Sequence, residues 1–289
     1  MITAAVRRTV PEVAMLRFVA ITSSAFALAL LAPATARAQT DYYNTDAGRP
    51  VLIEDAYALE RRGFEVQVAP VRLSRARGGA YTWGVEPELA YGFANRAQIE
   101  LGVPVAYTTR PGARSATGIS GVDLSVLYNL NTETRIPAFA VVGEVLLPVG
   151  RFGPTRAYPG IKSIMTRTFP VARVHLNAQY TFGQGIASTV AAPIGAAAQS
   201  IELSRWLTGA AIDHTLPLKS LLMTAELYAR KPLDVREDVE WNSGVGVRYQ
   251  LTPRWAMDGG IGRNLTGPAQ AWYLTAGGAY AFGLPWRSR

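Results

Sequence analysis

The stretch Arg173-Val-His-Leu-Asn-Ala-Gln-Tyr-Thr-Phe182 alternates strictly between two kinds of side chain. Its odd-numbered positions are polar or charged, and its even-numbered positions are apolar or aromatic. Because successive side chains of a β-strand point to opposite faces, this period of two predicts a strand with one polar and one apolar face. An α-helix would instead repeat its apolar residues about every 3.6 positions.

The same alternation recurs along most of the chain, broken at regular intervals by turn residues. Strands of about 10 residues have the length that crosses a bilayer at a tilt. Short turns interleave with mostly longer loops, and an even number of strands joined in this way is typical of outer-membrane barrels. We predict twelve strands, at 63–75, 79–91, 96–108, 119–130, 135–148, 161–169, 171–183, 200–213, 220–230, 239–251, 254–264 and 270–282. The alternation drifts in the sixth and the eighth of these, around Met165 and Arg205.

Aromatic side chains concentrate near the ends of these strands, where they would sit at the two membrane interfaces. A soluble β-sandwich also alternates, but it rarely needs so many aromatic residues at its strand ends. The predicted fold class is therefore all-β, an up-and-down antiparallel transmembrane barrel of about twelve strands, of the Gram-negative outer-membrane type. The predicted interface aromatics are Tyr91, Phe93, Tyr107, Trp241, Tyr249, Trp255, Trp272, Tyr280 and Phe282.

The first 38 residues have the three parts of a secretory signal peptide. Arginines precede an apolar run at 18–32, and Ala36-Arg37-Ala38 provides small residues for cleavage before Gln39. We expect 1–38 to be removed, 39–62 to form a periplasmic N-terminal segment or a small plug, 63–283 to form the barrel and 284–289 to be a C-terminal tail. The expected location is the bacterial outer membrane.

Composition narrows the chemistry further. The 289 residues include no cysteine and only two histidines, so thiol nucleophiles and zinc-thiolate sites are excluded. The formal charge of +8 falls once the arginine-rich signal peptide is removed, which argues against a nucleic-acid partner. We expect no cofactor and no metal.

Charged and polar residues occupy the face of the strands that would line the barrel interior. They form either a wet, charged passage or a polar network that bridges and plugs the lumen, and the sequence favours neither. The predicted lumen-lining residues are Glu86, Glu88, Glu100, Asp123, Arg173, His175, Asn177, Glu226, Glu240, Arg248 and Asp258.

Five short motifs resemble an outer-membrane family named for the meta-pathway of phenol degradation, whose members are described as transporters. The motifs are Asn44-Thr45-Asp46 with Arg49-Pro50, Gly63-Phe-Glu-Val-Gln67, Pro87-Glu-Leu-Ala-Tyr-Gly92 with Ala94-Asn-Arg96, Gly118-Ile-Ser-Gly121-Val-Asp123, and Val145-Leu-Leu-Pro148-Val-Gly150. The chain departs from the family by inserting Ala47-Gly48 and by continuing past Phe282. The resemblance implies a channel for uptake or export of small solutes, aromatic or hydrophobic compounds among them.

An enzyme is the rival hypothesis, because some outer-membrane barrels are lipid hydrolases. His175-Leu-Asn177 lacks the serine of the deacylase string that it resembles, and the adjacent pair Asp213-His214 would point to opposite faces of a strand. We therefore predict no catalytic residue and no enzyme. The first alternative to a channel is a plugged structural or adhesion barrel that acts through extracellular loops. Expected partners are outer-membrane lipid and lipopolysaccharide, a small solute and the barrel assembly machinery.

Overall fold

Fourteen strands follow the alternating stretches of the chain and pair antiparallel in one sheet. The structure, a computed structural model, describes residues 45, 48–75, 81–109, 115–185, 203–235, 237–266 and 272–283, without the side chains of 68–72, 74 and 75. The predicted cleavage residues Ala38 and Gln39 and the tail at 284–289 lie outside these ranges. The strands are β1 (Gly63–Arg75), β2 (Tyr81–Ala94), β3 (Ala97–Gly102), β4 (Val105–Thr109), β5 (Ala116–Ile119), β6 (Val122–Asn129), β7 (Ala138–Leu147), β8 (Tyr158–Thr168), β9 (Arg173–Thr181), β10 (Ser204–Thr215), β11 (Leu221–Pro232), β12 (Glu240–Thr252), β13 (Trp255–Asn264) and β14 (Trp272–Gly283).

The sheet closes on itself, because β1 pairs with β2 on one side and with β14 on the other. β3 and β4 lie end to end along one edge of β2, and they pair with β6 and β5 respectively. Each of these two broken strands therefore fills one position in the wall. The architecture is a closed antiparallel barrel of twelve strand positions, which confirms the predicted fold class.

Proline and glycine explain where the two strands break. Pro104 separates β3 from β4 and has no N–H to donate to the sheet. Gly121 separates β5 from β6 and has a φ of 132°, which favours glycine. The Ser120 N–H still donates to the Pro104 carbonyl at 2.8 Å, so the two breaks lie side by side and remain hydrogen-bonded.

Most strand bounds differ from the sequence prediction by one to four residues, and β8 and β10 are two examples. β8 begins at Tyr158, before the predicted 161, and β10 covers Ser204–Thr215 instead of 200–213. The pairing of β10 with β11 shifts between Ser204 and Trp206, which leaves Arg205 as an extra residue in the strand. A bulge of this kind interrupts the period of two, and it explains why the alternation drifts at this point.

The two faces of the wall differ in character. Outward side chains are large, apolar and exposed, as shown by Val245 at 53% and Met257 at 54%, whereas inward Arg248 is only 1% exposed. The nine predicted interface aromatics lie on the outward face, close to strand ends. The ring of Phe64 on β1 stacks between two of them, Tyr91 on β2 at 4.4 Å and, across the junction of the first and last strands, Phe282 on β14 at 5.4 Å.

No helix among the described residues has the length and apolar character needed to cross a bilayer.

Candidate functional site in the barrel lumen

The interior of the barrel contains a stretch of the chain that precedes β1. We call Thr45 and residues 48–60 the inner segment. It has no helix or strand of its own, so its backbone N–H groups need partners elsewhere. Those partners are side chains of the wall, contributed by strands spread around the barrel, as the following contacts show.

Wall side chains accept hydrogen bonds from the backbone N–H groups of five residues of the inner segment. Glu226 Oε2 accepts from the N–H groups of both Leu52 (2.7 Å) and Ile53 (3.0 Å). The Ala56 N–H donates to Thr166 Oγ1 at 3.0 Å. The remaining bonds run from the Glu54 N–H to Asn177 and from the Leu59 N–H to Gln98, while Thr275, Asn177 and Asn129 donate to the carbonyls of Pro50, Glu54 and Ala56.

Apolar contacts add to these hydrogen bonds on two sides of the lumen. Ile53 is fully buried in a cluster with Leu207, Ala211 and Tyr228. Ala56 is fully buried in a second cluster, together with inward residues of β6, β7 and β8: Leu127, Ala138, Ala140, Val142 and Ile164. The inner segment is therefore packed against the wall as well as hydrogen-bonded to it.

Arg49 is the most completely buried charge of the inner segment, with 0% exposure. Its Nη1 donates to Asp258 Oδ2 at 3.2 Å, and its Nη2 lies 3.5 Å from Glu65 Oε1. Both carboxylates belong to the wall and are themselves buried. Each ion would be expensive to bury alone, so the three charges depend on one another.

A second charged cluster lies where β8, β9 and β10 meet the inner segment. Arg173 binds Asp213 through two hydrogen bonds, of 2.9 and 2.8 Å, and His175 Nε2 lies 3.0 Å from Asp213 Oδ2. His175 Nδ1 lies 2.9 Å from Thr166 Oγ1. Thr166 Oγ1 also accepts from the Ala56 N–H, so this hydroxyl joins the inner segment to His175.

The order Thr166–His175–Asp213 has the hydrogen-bond pattern of a catalytic triad. Thr166 and His175 are both 0% exposed, and the Ala56 N–H occupies the threonine oxygen. No substrate carbonyl can reach that oxygen while the inner segment is in place, so the arrangement acts as a structural anchor.

Asp55 lies next to this cluster and folds the inner segment back on itself. Its carboxylate accepts from the N–H groups of Thr45 (3.1 Å) and Tyr57 (3.0 Å), and its own N–H donates to the Thr45 carbonyl. Burial raises the pKa of Asp55 to about 6, although the charges of Arg173 and His175 and the two N–H donors oppose the rise.

Two further groups with shifted pKa values meet at the turn between β6 and β7, namely Tyr57 of the inner segment and Glu133 of the turn. Burial and the neighbouring Glu133 raise the pKa of Tyr57 to about 12. Burial also disfavours the charge of Glu133, but hydrogen bonds from Thr168 and Tyr57 and the charge of Arg167 lower its pKa overall. The Glu133 carboxylate thus ties the inner segment, through Tyr57 Oη, to the end of β8.

Carboxylates on the β2–β7 side of the lumen surround Gly102. A Cβ at Gly102 would lie 2.9 Å from Glu86 Oε1 and within 4 Å of the side chains of Glu88 and Asp123. On the same side, Lys162 Nζ lies 2.6 Å from Glu54 of the inner segment and 3.8 Å from Glu144. Several wall carboxylates therefore lie close together on this side of the lumen.

The β10–β14 side carries matched charges and an aromatic ring. Arg230 binds Glu240 at 2.9 and 2.7 Å, and Tyr273 Oη donates to Glu226 Oε1 at 3.1 Å. The ring of Tyr273 lies directly over Gly262, where a Cβ would come within 2.1 Å of it. Glycine at position 262 is required for this close approach.

The structure places all eleven predicted lumen residues on the enclosed face of the wall. Arg173, His175 and Asn177 come together around the middle of the inner segment, and Glu226 and Asp258 bind other parts of it. Their part in a solute pathway stays a prediction. Four wall residues outside the predicted lumen set, Gln98, Asn129, Thr166 and Thr275, also bind the segment, and Arg49 of the segment itself anchors it to the wall.

Among the described residues, no three His, Asp or Glu side chains are arranged to hold a metal ion.

Comparison with known proteins identifies the fold. No protein-family model matches the chain, and no curated protein matches it. Among solved structures, it is similar to an outer membrane channel from Pseudomonas putida F1, with 13% identity and a TM-score of 0.50 over 82% of this chain and 100% of that chain. It is also similar to a KdgM porin in complex with disordered oligogalacturonate, with 14% identity and a TM-score of 0.50 over 75% of this chain and 99% of that chain. The chain has the fold of outer-membrane β-barrels.

Proposed function

We propose that this protein is a channel of the bacterial outer membrane, through which small solutes pass by diffusion along a charged lumen. The observation that carries the proposal is the contrast between the two faces of a closed wall. Exposed aliphatic and aromatic side chains cover the outside, whereas buried charged and polar side chains line the inside. In a bilayer, such a wall satisfies its backbone hydrogen bonds internally and encloses a polar interior.

The inner segment gives the proposed channel its narrowest part. In barrels of this kind the chain termini and the short turns face the periplasm. The segment leads directly into β1 at Gly63, and the Arg62 N–H donates to the Gly92 carbonyl near the end of β2. The inner segment would therefore narrow the periplasmic half of the lumen, leaving the extracellular half to select solutes first.

Aromatic or hydrophobic compounds are the proposed solutes. This part of the proposal rests on the resemblance to the meta-pathway family. Charged rings inside a pore tune which ions and solutes enter, so the carboxylates near Gly102 would set the ionic preference.

Single-channel recording in planar bilayers tests the channel. We expect reproducible conductance from the mature chain, and a changed ion selectivity when Glu86→Gln, Glu88→Gln and Arg248→Gln are combined. Glu60→Gln, an exposed carboxylate at the end of the inner segment, is the matched control and should leave selectivity unchanged. Unchanged conductance and selectivity in the triple variant would remove those three residues from the pathway. Conductance measured across a panel of aromatic acids would then test the solute class.

A plugged structural or adhesion barrel is the second candidate, and the dense contacts of the inner segment favour it. Such a barrel would show no reproducible conductance from the wild-type chain, whereas a channel would conduct. Conductance of the wild-type chain therefore separates the two candidates. Conductance that appears only in the Arg49→Met variant would identify the inner segment as the plug.

A further inference from the structure

Asp55 holds the fold of the inner segment and also faces the barrel wall. Its carboxylate joins Thr45 to Tyr57 within the segment, and it is only 2% exposed. It also lies 3.8 Å from Arg173 Nη1 on β9. A change in the charge of Asp55 therefore acts on the fold of the segment and on its attachment to the wall at the same time.

The groups that favour the charged form of Asp55 are shared with a second buried carboxylate. From the wall, Arg173 and His175 on β9 face Asp55, and Asp213 on β10 lies beside them. Arg173 makes two short hydrogen bonds to Asp213, so its guanidinium is committed to that carboxylate and lies farther from Asp55. From the segment and the neighbouring turn come Glu54, which binds Lys162, and Tyr57, which binds Glu133. Arg173 and His175 thus serve two buried carboxylates, and both of them bind Asp213.

We propose that Asp55 is a proton-operated latch, which holds the inner segment more firmly in the lumen at mildly acidic pH and less firmly at neutral pH. The inference concerns the regulation of the proposed channel and rests on that function. Protonation removes the buried negative charge of Asp55, which shares the Arg173 guanidinium with Asp213. It leaves the neutral carboxyl able to accept at least one of the two N–H bonds that fold the segment.

The direction of the pH effect on docking follows from the linkage between proton binding and docking. In the docked segment, burial raises the pKa of Asp55 to about 6, whereas a carboxyl released into water has its ordinary value near 3.9. The docked form therefore binds the proton more tightly, so docking strengthens as the pH falls through about 6. Between pH 7 and pH 5 the docking equilibrium constant should rise roughly tenfold. Acidification would close the proposed channel.

Hydrogen exchange of the full mature chain, folded in lipid vesicles, tests the latch directly. The amides of Leu52, Ile53 and Ala56 report docking, because each of them donates to a wall side chain. After correction for the intrinsic pH dependence of exchange, their protection factors should be about tenfold larger at pH 5 than at pH 7. Equal protection factors at the two pH values in the wild-type chain would overturn the proposal.

Three variants assign the effect to Asp55. Asp55→Asn imitates the protonated carboxyl and should show the pH 5 level of protection at both pH values. Glu60→Gln, an exposed carboxylate of the same segment, should keep the wild-type pH dependence. His175→Gln should move the pH dependence toward higher pH without abolishing it, because the charge of His175 lowers the pKa of Asp55 and the titrating group is Asp55. If His175→Gln loses the pH dependence and Asp55→Asn keeps it, the latch is His175 and the proposal is wrong.

Conductance separates this inference from the proposed function. A working latch in a working channel predicts lower open probability at pH 5 than at pH 7, and no such difference in Asp55→Asn. Protection that changes with pH in a chain that never conducts would reject the channel and keep the latch. Conductance without pH-dependent protection would reject the latch and keep the channel.

Discussion

Replacing Arg49 with methionine should release the inner segment from the lumen. Arg49 is fully buried between Asp258 and Glu65, and methionine keeps most of its apolar volume while removing its charge. Two carboxylates would then remain buried without that guanidinium. Removing one partner of a buried ion pair typically costs about 3–5 kcal/mol, because the other charge is left uncompensated. We expect the cost to fall on the docked segment, since the barrel can keep its strand pairing when the segment leaves.

That free energy corresponds to a rise of about 150-fold to 5,000-fold in the population of the undocked segment. Chymotrypsin cleavage after Tyr57 measures this population, because proteolysis follows the equilibrium opening when opening and closing are fast. The experiment uses the mature chain in lipid vesicles, and mass spectrometry identifies the N-terminal fragment. Arg61→Met removes an exposed arginine from the same region and is the matched control.

A double variant separates lost charge compensation from lost packing. Arg49→Met combined with Asp258→Asn removes one of the two stranded charges, and we expect it to recover a substantial part of the protection against cleavage. If Arg49→Met increases cleavage by less than about fivefold, or if the double variant is cleaved faster than the single one, the reasoning from buried charge is refuted.

Three further predictions address the wall and the turn. Gly92→Ala would place a Cβ 2.1 Å from the Glu60 carbonyl oxygen and should weaken the docking of the inner segment by about 1–3 kcal/mol, seen as faster cleavage after Tyr57. Gly143→Ala, with nothing within 4 Å of the new Cβ, is the control and should not change cleavage. Val245→Arg, at an outward position in the middle of β12, should lower the free energy of unfolding in urea by about 2–4 kcal/mol. Val239→Arg, just before the strand, should lower it by no more than about 1 kcal/mol. Equal losses in the two variants would contradict the assignment of Val245 to the lipid-facing surface. Glu133→Gln should speed hydrogen exchange of the Thr168 amide about fivefold at pH 7, because that amide donates to the Glu133 carboxylate. Since the pKa of Glu133 is lowered, the difference from the wild-type chain should vanish as the pH falls below that pKa. Equal exchange rates of the variant and the wild-type chain at pH 7 would argue against a stabilising bond from Thr168 to Glu133.

The strands and their faces could be predicted because a period of two is a local property. The segment 173–182 shows this best, since its polar positions face the lumen and its apolar positions face outward in the structure. The same rule placed Trp241 and Tyr249 on the outer face and Arg248 on the inner face. Each of these assignments needs only the neighbouring residues along one strand.

Local breaks were harder to predict from the same pattern. The prediction of one strand over 96–108 overlooked Pro104, which lacks the N–H that an uninterrupted strand would need. The drift of the alternation near Arg205 was visible in the sequence, but only the pairing of β10 with β11 shows that it is a bulge. A bulge is defined by two strands, and one strand alone does not specify it.

The path of the inner segment could not be predicted, because it has no periodicity and its partners are distant in sequence. The Pro50 carbonyl accepts from Thr275, and the Ala56 N–H donates to Thr166. One signal was nevertheless present. Leu127 and Ile164 are apolar residues on the polar face of the wall, and an apolar side chain that points into a barrel needs something to pack against.

The stacked rings at the junction of β1 and β14 have a consequence for biogenesis. Gly63 pairs with Gly283, so the first and last strands meet only after the whole barrel sequence has been synthesised. Until then, both terminal strands expose unpaired backbone groups that could join other chains. Such distant pairing is also slow, because the entropy of closing a long loop must be overcome first. The unfolded chain therefore needs protection during this interval, and the packing of Phe282 against Phe64 marks its end.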